Sequence, residues 1–241
     1  MENHLPEATE NRLPRLTVKE IRNETLLFFN LEKGLLFTFL ALIKDPKNTI
    51  DTYLNIDRRK FSNPLQYILI SVAIYTVLIT VHPSFVNTMA SLNEQNAKSY
   101  AKMEKDLNIK IAEPMARSQK IFLSYQNVLY LILIPIISFA TFFLFEKSFN
   151  YAENLVVNAF VFGTSTGVSM ILTALTIFID HFAVMMIAIP LFSFVFTGYM
   201  YKKIFQEDLL KTIGVTIIVT GLLIFLTMII QFGLALILMF T

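Results

Sequence analysis

The sequence predicts an all-α, polytopic membrane protein, and three observations carry that prediction. The 241 residues are 55% hydrophobic and only 16% charged, whereas ordinary soluble domains carry about 25% charged residues. The apolar residues do not recur at the period of a half-buried helix or strand. They come instead in blocks of 18 or more without a charge, the length that a bilayer core of about 30 Å demands of a helix. The expected architecture is about five transmembrane helices, an N-terminal interfacial helix and an extramembrane helical segment.

Residues 1–16, with Pro6 and Pro14 among polar side chains, read as a flexible tail. Residues 17–63 read as cytoplasmic or interfacial helices, with a helical pattern from Thr17 to Ile43 and a break near Asn30–Gly34. The run Gly34–Ile43 is apolar nearly all round but only ten residues long, which favours an interfacial or re-entrant helix over a span. Asp45-Pro46 should end it, because proline cannot continue the hydrogen-bond ladder. The membrane domain, 64–241, has spans at about 64–81, 128–145, 155–179, 182–201 and 213–241. Asn63-Pro64 opens the first, Pro at the first turn being favourable, and His82-Pro83 closes it. Asp180-His181 makes spans three and four a tight hairpin.

Between spans one and two lies an extramembrane insert, 82–127. In it Phe85, Met89, Leu92, Asn96, Tyr100, Met103, Leu107 and Ile111 recur at steps of four and three, the stripe of one long helix. That stripe fits packing on its own chain or the membrane, or self-association with Asn96 setting the register.

Composition excludes several functions. A net charge of +2 without clustering on one face gives no reason to expect direct nucleic-acid binding. With no cysteine, disulfides, thiolate metal sites and cysteine nucleophiles are ruled out. His4, His82 and His181 are far apart and no HExxH occurs, so neither a metal nor another cofactor is expected. The N-terminus has no charged region leading into an apolar one, and no cleaved signal peptide is expected. Lys and Arg number fourteen on the N-terminal side of the spans and six on the other, which orients the N-terminus to the cytoplasm and the C-terminus outside. Arg58, Arg59 and Lys60 are then the positive-inside anchor of span one, held against anionic headgroups at about 1 kcal/mol each.

The polar residues inside the spans are the candidate functional ones. Asn154, Asn158, Ser165, Ser169, Thr173 and Thr176 fall within about 100° of one another on a helical projection. They form a stripe that can bond neighbouring helices or line a polar conduit or headgroup cavity. Gly163 and Gly167 lie opposite as a GxxxG match, a face that lets helix backbones approach closely. Pro135 and Pro190 sit within spans two and four and are candidate hinges. No Asp, Glu, Lys, Arg or His occupies a span core, which argues against ion-coupled transport and proton relays. No nucleophile–base or paired-carboxylate arrangement is visible and no catalytic residue is expected; a lipid-modifying enzyme using Glu153 or His181 is the minor exception.

Three stretches carry a family resemblance. They are the apolar run into Asp45-Pro46 with Thr49-Ile50 and Tyr53-Leu54, the basic cluster followed by Asn63-Pro64-Leu65, and Asn150-Tyr151-Ala152-Glu153. Through them the chain resembles the bacterial integral-membrane family "domain of unknown function 3667", common in Bacteroidetes and distantly like the five-span Yip1 group. The resemblance covers residues 15–200 and implies a five-span fold in a bacterial inner membrane, but no activity. Many members begin with a four-cysteine zinc ribbon, which this chain lacks; Ile56-Asp57 replaces the usual Gly-Lys, and Asn154 replaces a common His. The expected function is a non-enzymatic multi-pass protein acting through protein or lipid contacts. The alternative is an oligomeric pore-forming or membrane-perturbing effector of a phage-defence locus, for example a CRISPR-associated one. Expected partners are the lipid bilayer, further copies of the chain, and a cytoplasmic protein at the N-terminal region.

Overall fold

A computed structural model describes residues 34–107, 112–146, 148–177 and 184–240. The tail, the 17–33 helical pattern and the Asp180-His181 turn lie outside the described residues. Every element among the described residues is helical: α1 (Leu35–Lys44), α2 (Pro46–Asn55), a 3₁₀ turn (Arg58–Lys60), α3 (Pro64–Val81), α4 (Pro83–Leu107), α5 (Ala112–Leu144), α6 (Tyr151–Leu175), a π turn (Val184–Ala188), α7 (Ile189–Phe205) and α8 (Leu209–Met239).

Helix starts follow from short polar caps. Asp45 accepts from the Asn48 amide at 3.2 Å, with Pro46 in the first turn. Asn63 Oδ1 accepts from the Leu65 amide at 3.0 Å, with Pro64 likewise placed. At α6 the capping is reciprocal: the Glu153 amide donates to Asn150 Oδ1 at 2.9 Å and the Asn150 amide to Glu153 Oε2 at 2.7 Å. Each arrangement satisfies amides that the helix itself leaves unpaired. Asp45-Pro46 therefore ends one helix and also begins another. Residues 46–55, which sequence patterning leaves unassigned in detail, form a helix of their own.

Among the described residues, three helices are long and apolar enough to cross a membrane: Arg58–Val81 (the 3₁₀ turn and α3), α6 and α8. The most buried is α6, with 61% of its apolar window inside the bundle against 22% and 17% for the other two. It packs on α3, α5, α7 and α1, while α5 also lies along α8. The core is aromatic at one end. Phe145 stacks on Phe205 at 3.8 Å between ring centroids, and Tyr53 and Tyr67 meet Phe160 at 5.2 and 5.7 Å.

Several boundaries differ from the expected ones. The insert is a helical hairpin rather than one long helix: α4 ends at Leu107 and α5 begins at Ala112, where its first amide donates to Glu104 Oε1 at 2.8 Å. Asn96 donates to Gln119 Oε1 of α5 at 3.3 Å, so the polar residue in the stripe pairs within the chain. No break falls near residue 128; α5 runs 33 residues through it, about 50 Å at 1.5 Å per residue, and its apolar part is Leu131–Leu144. Helix α6 ends at Leu175, short of 179, and α8 starts at Leu209, ahead of 213. Pro190 is the second residue of α7, which continues the π turn without a break, so its missing N–H falls where the helix changes from π to α geometry. Pro135 does lie inside α5.

Candidate functional site

The polar stripe of α6 divides into two parts, because Val161 and Phe162 interrupt it on the same face. The first part is a closed hydrogen-bond network. Asn158, fully buried, donates from Nδ2 to Thr141 Oγ1 at 2.8 Å, to Ser138 Oγ at 3.2 Å and to the Asn154 carbonyl at 2.9 Å. Its Oδ1 accepts from the Tyr201 hydroxyl at 2.7 Å. Asn154 donates to the Phe149 and Asn150 carbonyls, and its Oδ1 accepts from Thr141 Oγ1 at 3.2 Å. Three helices, α5, α6 and α7, are tied at this point. Buried amides this well satisfied hold helices together, since an unpaired one costs about 1–3 kcal/mol.

The second part opens into a cavity of about 370 Å³ between α3, α6, α7 and α8. Ser165 and Ser169 line it from α6, Ser193 and Thr197 from α7, Thr220 and Thr227 from α8, with Phe162, Ile189 and Leu223 as apolar walls. Ser165 and Thr197 share a hydrogen bond of 2.8 Å. No charged side chain lines it, so it suits water or a neutral hydroxyl or ester group. The remaining two residues of the stripe reach neither part. Thr173 is buried with its hydroxyl unpaired, and Thr176 bonds back to the carbonyls of Leu172 and Thr173.

On the other face the glycines act as contact points. A Cβ on Gly163 would stand 2.6 Å from the Tyr67 ring, and one on Gly167 would stand 2.7 Å from the Phe39 ring. The Tyr67 ring is itself fixed, its hydroxyl lying 3.0 Å from Thr164 Oγ1. GxxxG thus admits α3 at one position and α1 at the other.

The basic cluster forms the 3₁₀ turn, whose start is capped by Asp57 Oδ1 accepting from the Arg59 amide at 2.9 Å. Arg58, Arg59 and Lys60 are all exposed. Lys60 lies over Phe61, 5.6 Å from the ring centroid. The turn is joined to α1 by the Ser62 amide, which donates to Thr38 Oγ1 at 2.9 Å. Just beyond it a groove of about 360 Å³ runs between α3 and α5 over α6. At the same end, Lys211 of α8 reaches Glu146 at 2.6 Å and Glu207 at 2.8 Å. The Lys211 ammonium holds the Glu146 carboxyl below its usual range.

Sequence reasoning places the stripe, the glycines and the basic turn but misses Ser138, Thr141, Thr197 and Tyr201. The first two were detectable as hydroxyls three apart in an otherwise apolar run. Tyr201 carried no signal, since a Tyr at a span end usually marks an interface. Glu153 has one carboxylate oxygen engaged in the α6 cap, and His181 lies outside the described residues. His82 is fully buried with neither ring nitrogen paired. Among the described residues no group of three or more His, Asp or Glu could hold a metal.

Residues 32–76 match the family described as "Protein of unknown function (DUF3667)". The match spans α1, α2, the basic 3₁₀ turn and the first two-thirds of α3. The Asn150–Glu153 stretch lies outside it. Nothing among curated proteins or solved structures matches the chain.

Proposed function

We propose that this chain is a non-enzymatic five-span protein of a bacterial inner membrane that acts through protein or lipid contacts at its cytoplasmic end. One observation carries the reading: α1, α2 and the 3₁₀ turn form a fixed platform whose outer surface is basic and apolar. Thr38 holds Ser62, Tyr53 packs edge-on against Phe160, and Lys47 lies 5.3 Å from the Phe149 ring centroid. Outward, the platform presents Arg58, Arg59 and Lys60 beside exposed Leu36, Phe37, Leu40 and Ile56. The family match falls on this platform and on most of α3.

Five crossings are supported by helix direction. Lys211 at the start of α8 bonds Glu146, just before the start of α6, so α6 and α8 begin at one end and the chain between them must return. The π turn and α7 are the returning element. Tyr67 near the start of α3 meets Gly163 and Thr164 of α6, while Tyr75 and Ser169 line one cavity. Those helices therefore run alike and α5 returns between them. The excess of Lys and Arg supports a cytoplasmic position for the shared end.

A photoreactive residue in place of Ile56 or Leu40 tests the platform in cells. The reading expects a discrete crosslinked species, either a second copy or a cytoplasmic protein, or crosslinked lipid. Only unreacted monomer from both positions would reject it. The second reading, an oligomeric pore or membrane-perturbing effector of a defence locus, is favoured by the hydroxyl-lined cavity. It expects dye release from proteoliposomes that falls when Ser165→Leu and Ser169→Leu fill the cavity. Equal release from wild type and variants would remove the cavity from that account, and a neighbouring nuclease or nucleotide cyclase gene would favour a defence role.

A further inference from the structure

The groove between α3 and α5 is apolar along its length and polar at one end. Its floor is Ile68, Ile134 and Ala159, all nearly inaccessible, and Leu65 and Pro135 form its rims. The surface around it, at Leu69, Ile132 and Ile136, is exposed and aliphatic, so the groove opens sideways onto what α3 offers to lipid. At one end stand Tyr53 and Asn63, and the 3₁₀ turn precedes Asn63 by three residues. Of the basic cluster, Arg58 lies within electrostatic reach of Tyr53, one of the residues at that end. Burial pushes the Tyr53 phenol up, and the Arg58 guanidinium pulls it back. The turn has one carboxylate of its own, Asp57, spent on the Arg59 amide; the next one back, Asp51, is paired with Lys47 at 3.1 Å. An exposed basic turn leading into an aliphatic slot matches an amphiphile with an anionic head.

We infer that the groove holds one acyl chain of an anionic phospholipid from the surrounding bilayer, with its phosphate at Arg58 and Arg59. This deepens the contact-surface reading by naming the partner at one part of the platform. A diffuse electrostatic anchor needs only the cations, whereas this site also needs the aliphatic slot. The lipid would brace α3 against α5, two helices that touch little directly and are joined mainly through α6.

Native mass spectrometry of the full-length protein, released from neutral detergent with phosphatidylglycerol or phosphatidylcholine added, tests the site. One phosphatidylglycerol per chain is expected, retained at least tenfold better than phosphatidylcholine. Arg58→Gln/Arg59→Gln should lower its retention about 30-fold, the equivalent of ~1 kcal/mol for each cation. Ala159→Leu, which raises the floor, should lower it too; Leu65→Gln, at an exposed rim, gives the same readout if the first variant fails to fold. Equal retention of both lipids overturns the proposal. So does a loss confined to the arginine variant, which would leave only a surface anchor. Competition by glycerol phosphate as effective as by the lipid would assign the site to free phosphate and also overturn it. Crosslinking at Ile56 or Leu40 to a protein would stand whichever way the lipid result falls.

Discussion

Asn158 bonds to side chains of two neighbouring helices, and its environment decides what the first part of the polar stripe does. Tyr201→Phe removes the donor to Asn158 Oδ1 and leaves a buried oxygen unsatisfied; we expect a loss of about 1–2 kcal/mol, read as a lower Tm in detergent. Interhelical hydrogen bonds inside membranes average nearer 0.6 kcal/mol, but a fully buried acceptor with no water to turn to belongs at the higher end. The glycines offer a graded test. Gly163→Ala drives a methyl against a ring pinned by Thr164 and should cost about 1–3 kcal/mol. Gly198→Ala, with Thr216 Oγ1 at 3.3 Å, should cost less, and Gly221→Ala, with nothing within 4 Å, should be neutral or gain up to about 1 kcal/mol from helix propensity. Thermal denaturation of the three variants in one detergent gives the order.

At the scale of elements, four of the eight described helix starts are written in adjacent residues. Asp45-Pro46, Asn63-Pro64, Asn150 through Glu153 and Asp208 each place an acceptor before a run that can continue helically. Glu153→Gln keeps an acceptor for the Asn150 amide, as a capping box allows, and should leave stability within a few tenths of a kcal/mol; Asn150→Ala should cost about 1 kcal/mol. If Glu153→Gln abolished an activity of the protein without moving Tm, the carboxylate would be more than a cap. Helix ends were less legible. Helix α5 passes through residue 128 because its polar N-terminal half pairs with α4 rather than stopping. Pro190 shows the same limit: a proline in an apolar run does not say that the turn before it is π-helical rather than α-helical.

For the whole molecule, orientation and the tie between loops are the testable properties. A reporter fused after Thr241 should signal outside the cytoplasm; a cytoplasmic signal would overturn the five crossings or their direction. The Glu146–Lys211–Glu207 cluster joins the loop before α6 to the start of α8. Because the Glu146 carboxyl is held below its usual range, the tie is complete above the ordinary glutamate value and is lost as the pH falls through the lowered folded value. The protection of the amides at residues 145, 146 and 148–150, corrected for the intrinsic pH dependence of exchange, should therefore hold down to the ordinary glutamate range and fall below it, and Lys211→Met should remove that pH dependence. Unchanged exchange in Lys211→Met would show that the cluster does not hold the loop.

The sequence by itself determined the helical class, the apolar blocks, the Asn63-Pro64 start of α3 and the separation of α6 into a polar and a small face. Those properties depend on residues near one another along the chain, where periodicity and capping act. Tertiary structure alone decided which residues meet. Ser138, Thr141 and Tyr201 converge on Asn158 from two other helices, and Gly163 and Gly167 receive Tyr67 and Phe39 from two separate elements. It also divided the stripe into a sealed network and an open cavity. A helical projection gives the direction of a side chain but not the partner waiting there. Whether a buried amide or hydroxyl is satisfied depends on that partner, which no local pattern encodes.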